Sequence, residues 1–243
     1  MNRKVIYGLI LAAVTSAAVA DDKIPEGLAK TLQKSMPGLS IDSLRATPIP
    51  GMFELVSGGE VAYVSADGNH MIQGTLYNVP KRKNLTENSL SIGRQAAMKT
   101  LDAGNLIVYP AKGEVKHTIT VFTDPSCPYC LRLHEELPKL NEMGVTVKYA
   151  LYARNGGSTL TARQLNDIVC ASEQKAELDK YFASPQKAAK GDSCKKAEGL
   201  ERIAAIAQQV GMKGTPHIVT DTGFAISGFQ PAAELVRTIE QSK

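Results

Sequence analysis

The sequence predicts an α+β chain: a small antiparallel unit near the N-terminus, a helical linker, and a larger C-terminal unit of mixed strands and helices. Three observations carry that expectation. Residues 52–77 hold short strand-like runs separated by the turn signals Gly58-Gly59 and Asp67-Gly68-Asn69. Residues 85–101 lack strand alternation and are rich in helix formers. Finally, the β-branched run His117 to Thr123 leads into Cys127-Pro128-Tyr129-Cys130, which opens a stretch with helical spacing.

Ahead of these elements the chain reads as a secretory signal. Arg3 and Lys4 form a positive start, Val5 to Val14 is apolar, and Ala18-Val19-Ala20 is a small-residue cleavage site. The expectation is a signal peptide over 1–20 and a mature chain beginning at Asp21. Its loss would lower the formal charge from +4 to +2, too small an excess to point to nucleic acid. Lys81-Arg82-Lys83 is the densest basic run and has no aromatic interleaving, so it reads as a solvated edge and no nucleic-acid partner is expected. A mature chain of about 220 residues can bury a core without disulfide staples. Its four cysteines therefore need another reason, and export would place them where disulfides persist.

The elements follow in order. Leu28, Leu32 and Met36 have helical spacing, ended by Pro37-Gly38. Met52 to Val56, Glu60 to Val64 and Met71 to Tyr77 read as strands of a meander. A unit of about 60 residues is marginal alone, and its strand edges need covering. Both facts predict completion by a second copy, so 21–83 is expected to be a dimerisation domain. Asn78 to Asn84 reads as a boundary, and 84–104 as a helical linker. From 105 to 243 the expected order is two strands, the C-x-x-C motif, a helix, the strand Val145 to Leu151, a helical region from Ser158 to Phe182 opened by Gly156-Gly157, and a helix from Leu200 to Val210. A hairpin about Asp221-Thr222-Gly223 and a final helix, Ala232 to Gln241, complete it. This is the thioredoxin order of elements, with the helices of 158–210 as an insertion.

C-x-x-C alone permits a redox dithiol, half of a zinc site or a structural disulfide. Cys170 and Cys194 form no second C-x-x-C, and no histidines have finger spacing. The strand-to-helix setting favours redox chemistry, because a helix N-terminus stabilises a thiolate. Cys127, at the exposed helix start, is the candidate nucleophile, and Cys130, one turn further in, the resolving thiol. No cofactor and no metal are expected. Pro128 has a φ suited to a first helical turn. Cys170 and Cys194 are two free core thiols or one bridge, and export favours the bridge. Thr215-Pro216 precedes a strand, and the residues alone favour an ordinary loop proline there. His134 reads as a polar helix-face residue, with tuning of the thiols as the alternative. Asp124 reads as a cap or turn residue that could also affect thiol acidity. His117 and His217 receive no role.

Taken together, Phe122-Thr123-Asp124, Cys127-x-Tyr129-Cys130, Cys170 with Cys194, Gly214-Thr215-Pro216, Ile72-Gln73-Gly74 and Gly228-Phe229-Gln230-Pro231 resemble the periplasmic DsbC-type protein disulfide isomerases over the whole mature chain. The resemblance implies a homodimer joined through the N-terminal domains. It implies an apolar cleft for misoxidised or partly unfolded periplasmic proteins. It implies a dithiol kept reduced by a DsbD-type membrane electron donor, and a cis Pro216 that contacts the dithiol together with Thr215. Two features depart from the pattern. Pro128-Tyr129 stands where the best-known isomerases have Gly-Tyr, and it is shared with DsbG-type proteins, which are associated with sulfenylated single cysteines. Val121 stands where thioredoxins carry a buried acid, six positions before the first cysteine. The expected activity is isomerisation and reduction of non-native disulfides through a mixed disulfide on Cys127. The alternatives are a DsbG-type reductase and, from another class, a holdase whose C-x-x-C is incidental.

Overall fold

The computed structural model describes residues 23–154, 160–185 and 187–242. The expected signal peptide, the mature start at Asp21 and the helix opening at Gly156-Gly157 lie outside these residues.

In the N-terminal unit, helix α1 (Leu28–Ser35) covers one face of a four-stranded antiparallel sheet. The sheet runs in sequence order, β1 (Ser43–Ala46), β2 (Met52–Ser57), β3 (Glu60–Ser65) and β4 (Met71–Ile72). Leu28 and Leu32, one helical turn apart, pack against Phe53, Leu55 and Val64. Strand β1 escapes a reading by pattern, since Leu44 is its one large apolar residue.

The expected strand from Met71 to Tyr77 is interrupted. Only Met71 and Ile72 pair with β3. At Leu76 the backbone turns away: its N–H donates to Thr86 Oγ1 (2.8 Å) and its carbonyl accepts from Leu85 N (2.9 Å). Tyr77–Asn78 (β5) then pairs with Lys83–Asn84 (β6) in a small hairpin. The Lys81 to Lys83 run lies exposed in it, as a solvated edge should.

Helix α2 (Leu85–Met98) is the linker. Asn84 caps it by accepting from Glu87 N (2.9 Å), and it stops short of the expected Leu101. The helix is clamped to the C-terminal unit. Arg94 donates to the carbonyls of Val210 (3.3 Å) and Gly223 (3.4 Å), and Gln95 donates to that of Asp221 (3.0 Å). Gly223 has φ +82°, and a Cβ there would lie 2.1 Å from the Ser91 carbonyl oxygen. Only glycine permits that approach.

The C-terminal unit is a five-stranded sheet ordered β11-β10-β8-β9-β7. The strands are β7 (Leu106–Tyr109), β8 (His117–Thr123), β9 (Val145–Leu151), β10 (His217–Thr220) and β11 (Ala225–Ser227). Strands β8 and β9 are parallel, and the other pairs antiparallel. Helices cover both faces: α3 (Pro128–Glu135), α4 (Leu137–Glu142), α5 (Leu160–Cys170), α6 (Gln174–Ala183) and α8 (Ala232–Gln241) on one, and α7 (Glu198–Gln209) with the end of α2 on the other. Val121 packs with the first set and Phe122 with the second. A central strand buried on both faces must be apolar nearly throughout.

One helix expected as a single segment is divided. It follows the dithiol and breaks at Glu136, and Pro138 sits in the first turn of α4, since an interior proline cannot continue a helix. The helical region expected to Phe182 consists of two helices, α5 and α6, separated at 171–173. Among the described residues, no helix is long and apolar enough to cross a membrane.

Candidate active site

Strand β8 ends at Thr123 and the chain turns through Asp124 to Cys127, the N-cap of α3. The Cys127 N–H donates to the Asp124 carbonyl (2.9 Å), and the Cys127 carbonyl accepts from Leu131 N (3.0 Å). Pro128 occupies the first turn, where its missing N–H costs nothing. One turn later Cys130 is fully enclosed.

Sequence reasoning places Cys127 at an exposed helix start, and this is corrected. The side chain is 2% exposed. The reason is tertiary: the loop before β10 lies over it, with Cys127 Sγ 3.3 Å from the Thr215 carbonyl oxygen, to which it donates when protonated. The order of exposure still holds, Cys130 being the deeper. Both cysteines are free thiols. The Thr215–Pro216 peptide is cis, and the Pro216 carbonyl accepts from Gly228 N (2.9 Å). The structure thus brings together four residues from two distant segments: Cys127, Cys130, Thr215 and Pro216.

The two thiols are pushed in opposite directions. Cys127 is lowered to about 5, first by a hydrogen bond from the Cys130 thiol. Burial opposes this, while Thr215 and the N–H groups of Cys130 and Tyr129 assist. The buried Thr215 hydroxyl has no other partner among the described residues and is free to turn to the sulfur. Cys130 is raised, first by burial and then by the negative charge it faces on Cys127. One thiolate and one thiol in a shared hydrogen bond is the arrangement that thiol–disulfide exchange uses.

The surroundings settle the remaining expectations. Val121 is fully buried in the same apolar cluster as both cysteines, so no acid occupies that position. Asp124 is a turn residue, as expected: its Oδ1 accepts from Ser126 N (2.8 Å) and Ser126 Oγ (2.6 Å). Its Oδ2 accepts from Arg154 Nε (3.0 Å). Arg154 was not foreseen, since no motif marks a lone arginine on another loop. His134 belongs to the core. It stacks on Phe182 (centroids 4.2 Å apart), and its Nε2 lies 3.2 Å from Asp179 Oδ1. Burial lowers its pKa, against the pull of Asp179. His217 is buried beside Pro216 and lowered to about 4, first by burial and then by Arg94. Cys170 and Cys194 are joined as a disulfide, which takes both out of any four-cysteine metal site with the dithiol.

A thiolate–thiol pair at a strand-to-helix turn, facing a cis-proline on a five-stranded mixed sheet, defines a thiol–disulfide oxidoreductase of thioredoxin fold. The comparisons with known proteins narrow this. Residues 13–87 match the family described as disulfide bond isomerase protein N-terminal domain, and residues 106–243 match the thioredoxin-like domain family. The chain is 34% identical to the thiol:disulfide interchange protein DsbC of Dickeya dadantii, with 100% of this chain and 96% of that one aligned. It is 31% identical to the DsbC of Escherichia coli K12, over 99% of this chain and 97% of that one. For the DsbC of Haemophilus influenzae the identity is 32%, over 98% and 99%. The chain belongs to the DsbC family of thiol:disulfide interchange proteins. These relatives do not favour the sulfenic-acid reductase or holdase alternatives.

Proposed function

We propose that Cys127 is the attacking thiolate and Cys130 the resolving thiol of a protein disulfide isomerase and reductase. The observation that carries this reading is the placement of two adjoining free thiols, Cys127 at the N-cap of α3 and Cys130 enclosed one turn further in, an arrangement that lowers the pKa of the first and raises that of the second. The Cys127 thiolate attacks one sulfur of a non-native disulfide, forming a mixed disulfide and releasing the other substrate sulfur as a thiolate. A different substrate thiolate then attacks the mixed disulfide and expels Cys127. The substrate disulfide is rearranged and no electrons are transferred overall. Alternatively, Cys130 loses its proton, attacks Cys127 Sγ and expels the substrate thiolate. In that branch the substrate gains two electrons and the enzyme is left with a Cys127–Cys130 disulfide. The likeness to DsbC-type proteins supports a DsbD-type membrane electron donor for regenerating the dithiol.

Thr215 and cis-Pro216 support the site from the facing loop, and the Cys170–Cys194 disulfide holds the insertion together. The domain boundaries proposed are 21–83, 84–104 and 105–243. Dimerisation through 21–83 is supported by a row of exposed apolar side chains, Met71, Ile72, Tyr77 and Val79, along the short edge strand and its hairpin. The features of residues 1–20 support export to the periplasm, where misoxidised and partly unfolded proteins are the substrates.

The test is catalytic recovery of a scrambled multi-disulfide protein in a glutathione buffer. The wild-type chain should restore native activity with turnover and Cys127→Ala should not. Equal recovery by the two proteins would overturn the assignment.

A further inference from the structure

Two charged groups beside the dithiol take no part in these steps: the buried Asp124 carboxylate and the Arg154 guanidinium. Asp124 sits on the turn that delivers Cys127 to α3, and its own carbonyl accepts the Cys127 N–H. Arg154 lies on the loop after β9, which is held against the end of β8 by a hydrogen bond from Tyr152 N to the Thr123 carbonyl (2.8 Å). The contacts between the two are several. Asp124 Oδ2 accepts from both Arg154 Nε (3.0 Å) and Arg154 N (3.2 Å), and Arg154 Nη2 reaches Ser126 Oγ at 3.5 Å. A carboxylate that is 1% exposed stays charged only with a partner and filled hydrogen bonds. The guanidinium plane gives one bond to Asp124 and one to Ser126, and the Arg154 backbone N–H gives the carboxylate a second.

We propose that Arg154 is a positioning residue of the exchange reaction: anchored on Asp124 and reaching Ser126, the residue before Cys127, its guanidinium supplies a cation beside the Cys127 thiolate in a fold that has Val121 where thioredoxins carry their acid. This rests on the assignment of Cys127 as nucleophile. Carboxylate and guanidinium pull the thiolate in opposite directions. Asp124 disfavours a second negative charge, and Arg154 favours it. Their pairing supplies a cation without leaving an uncompensated charge in the turn. Burial works against the Arg154 cation, yet Asp124 and then the thiols of Cys127 and Cys130 raise its pKa. The guanidinium is held against Ser126, the residue before Cys127, and a cation so placed favours the thiolate. The other groups facing Cys127 are the Cys130 thiol, Thr215 and the Tyr129 N–H. Tyr149 from β9 lies near Cys130, and burial raises its pKa well above the ordinary value, so it stays neutral.

The proposal is tested by following the ultraviolet absorbance of the Cys127 thiolate against pH in the reduced full chain. Wild type is compared with Arg154→Gln, Arg154→Lys, Asp124→Asn and the double variant Asp124→Asn/Arg154→Gln. Loss of the cation should raise the midpoint by roughly half to one pH unit. The equilibrium constant for oxidising Cys127 and Cys130 to their disulfide by glutathione disulfide, which leaves as two molecules of glutathione, should rise in step, by about three- to tenfold. Asp124→Asn should move the midpoint down, and the double variant should return it toward wild type. Arg154→Lys, which keeps the charge but not the fork, should fall between wild type and Arg154→Gln. Arg154→Gln strands the buried Asp124 carboxylate, whereas Arg154→Lys keeps a cation and the double variant removes both charges, so these two carry the test where a single neutral variant does not fold. An Arg154→Gln midpoint equal to wild type, or midpoints moving the same way in both single variants, would overturn the proposal. A titration unchanged in Cys127→Ala would instead overturn the nucleophile assignment, so the two failures are distinct.

Discussion

The two cysteine pairs share a residue type and a domain yet are built for opposite fates. Cys127 and Cys130 are three residues apart at the end of a central strand and remain free thiols. Cys170 and Cys194 are 24 residues apart and joined. The first pair is surrounded by groups that favour one thiolate: the opposing thiol, the Thr215 loop and the first N–H groups of α3. Those interactions stabilise the reduced form, so a disulfide between these two cysteines is easily opened. The second pair joins the last residue of α5 to the segment before α7 and encloses α6 in the loop. Its bond acts chiefly on the unfolded chain, whose freedom it removes. Whether a cysteine pair is reactive is thus decided by what surrounds the sulfurs, whereas what a bond contributes to stability depends on how much chain it spans.

The largest expected effect separates the pairs by function. Cys127→Ala should reduce exchange on a scrambled substrate to the uncatalysed rate. Cys170→Ala/Cys194→Ala, assayed at a temperature where it remains folded, should keep the rate per folded molecule. The comparison breaks if the folded double variant loses exchange as well.

Stability should divide the other way. For a loop of this length, the chain-entropy model assigns the Cys170–Cys194 bond ~3.5 kcal/mol. Denaturant unfolding of Cys170→Ala/Cys194→Ala against the oxidised parent measures the difference. A loss below about 1 kcal/mol would mean that the bond does not act through the unfolded chain as that model requires.

Much of this contrast was legible in the sequence, for local reasons. Strands β8 and β9 are buried on both faces, so nearly every residue is apolar or β-branched, and their ends fall where the pattern stops. Helix α8 is bounded by Pro231 and carries a regular apolar face. The two cysteine pairs were separable by the strand-to-helix setting of the first and by the wide spacing and expected export of the second. What escaped depends on contacts between distant segments. The burial of Cys127 comes from a loop almost 90 residues away, at Thr215. Arg154 becomes part of the site because the ends of β8 and β9 are neighbours. The strand ending at Ile72 is cut short by a hydrogen bond from Leu76 to Thr86, which no alternation of residues announces.

A further effect concerns pH. The folded value of Cys127, about 5, lies below the ~8.5 of an unfolded thiol. A depressed folded value adds stability that is complete above the unfolded value and is lost as pH falls through the folded one. Reduced protein should therefore lose stability relative to the oxidised form as pH falls from about 8.5 to 5. Alkylation of Cys127 should slow over the lower end of the same range, with Cys130 unreactive throughout. Parallel unfolding curves for the two redox forms measure the first effect. A gap between them that does not narrow on acidification would remove the electrostatic basis of the contrast.

The smallest effect tests whether the two regions are energetically separate, because one contact joins them. His134 is on α3, the helix that carries Cys130, and it stacks on Phe182 of α6, inside the loop closed by the disulfide. Its Nε2 lies 3.2 Å from Asp179, which also accepts from the Tyr109 hydroxyl at 2.5 Å. His134→Phe would keep a flat ring against Phe182 and remove only the polar contact. Asp179 is half exposed and retains Tyr109, so no buried charge is stranded, and the expected loss is about 1 kcal/mol. The Cys127 midpoint should not move, because His134 is not among the groups that set the acidity of Cys127. A double-mutant cycle with Cys170→Ala/Cys194→Ala should give a coupling of roughly 0.5 kcal/mol or more in stability, as expected for groups that share a packed helix. The same cycle scored on the thiolate midpoint should give none. Coupling on that second measure would mean that α6 transmits its position to the dithiol through α3. The disulfide of the insertion would then belong to the chemistry of the site as well as to the stability of the fold.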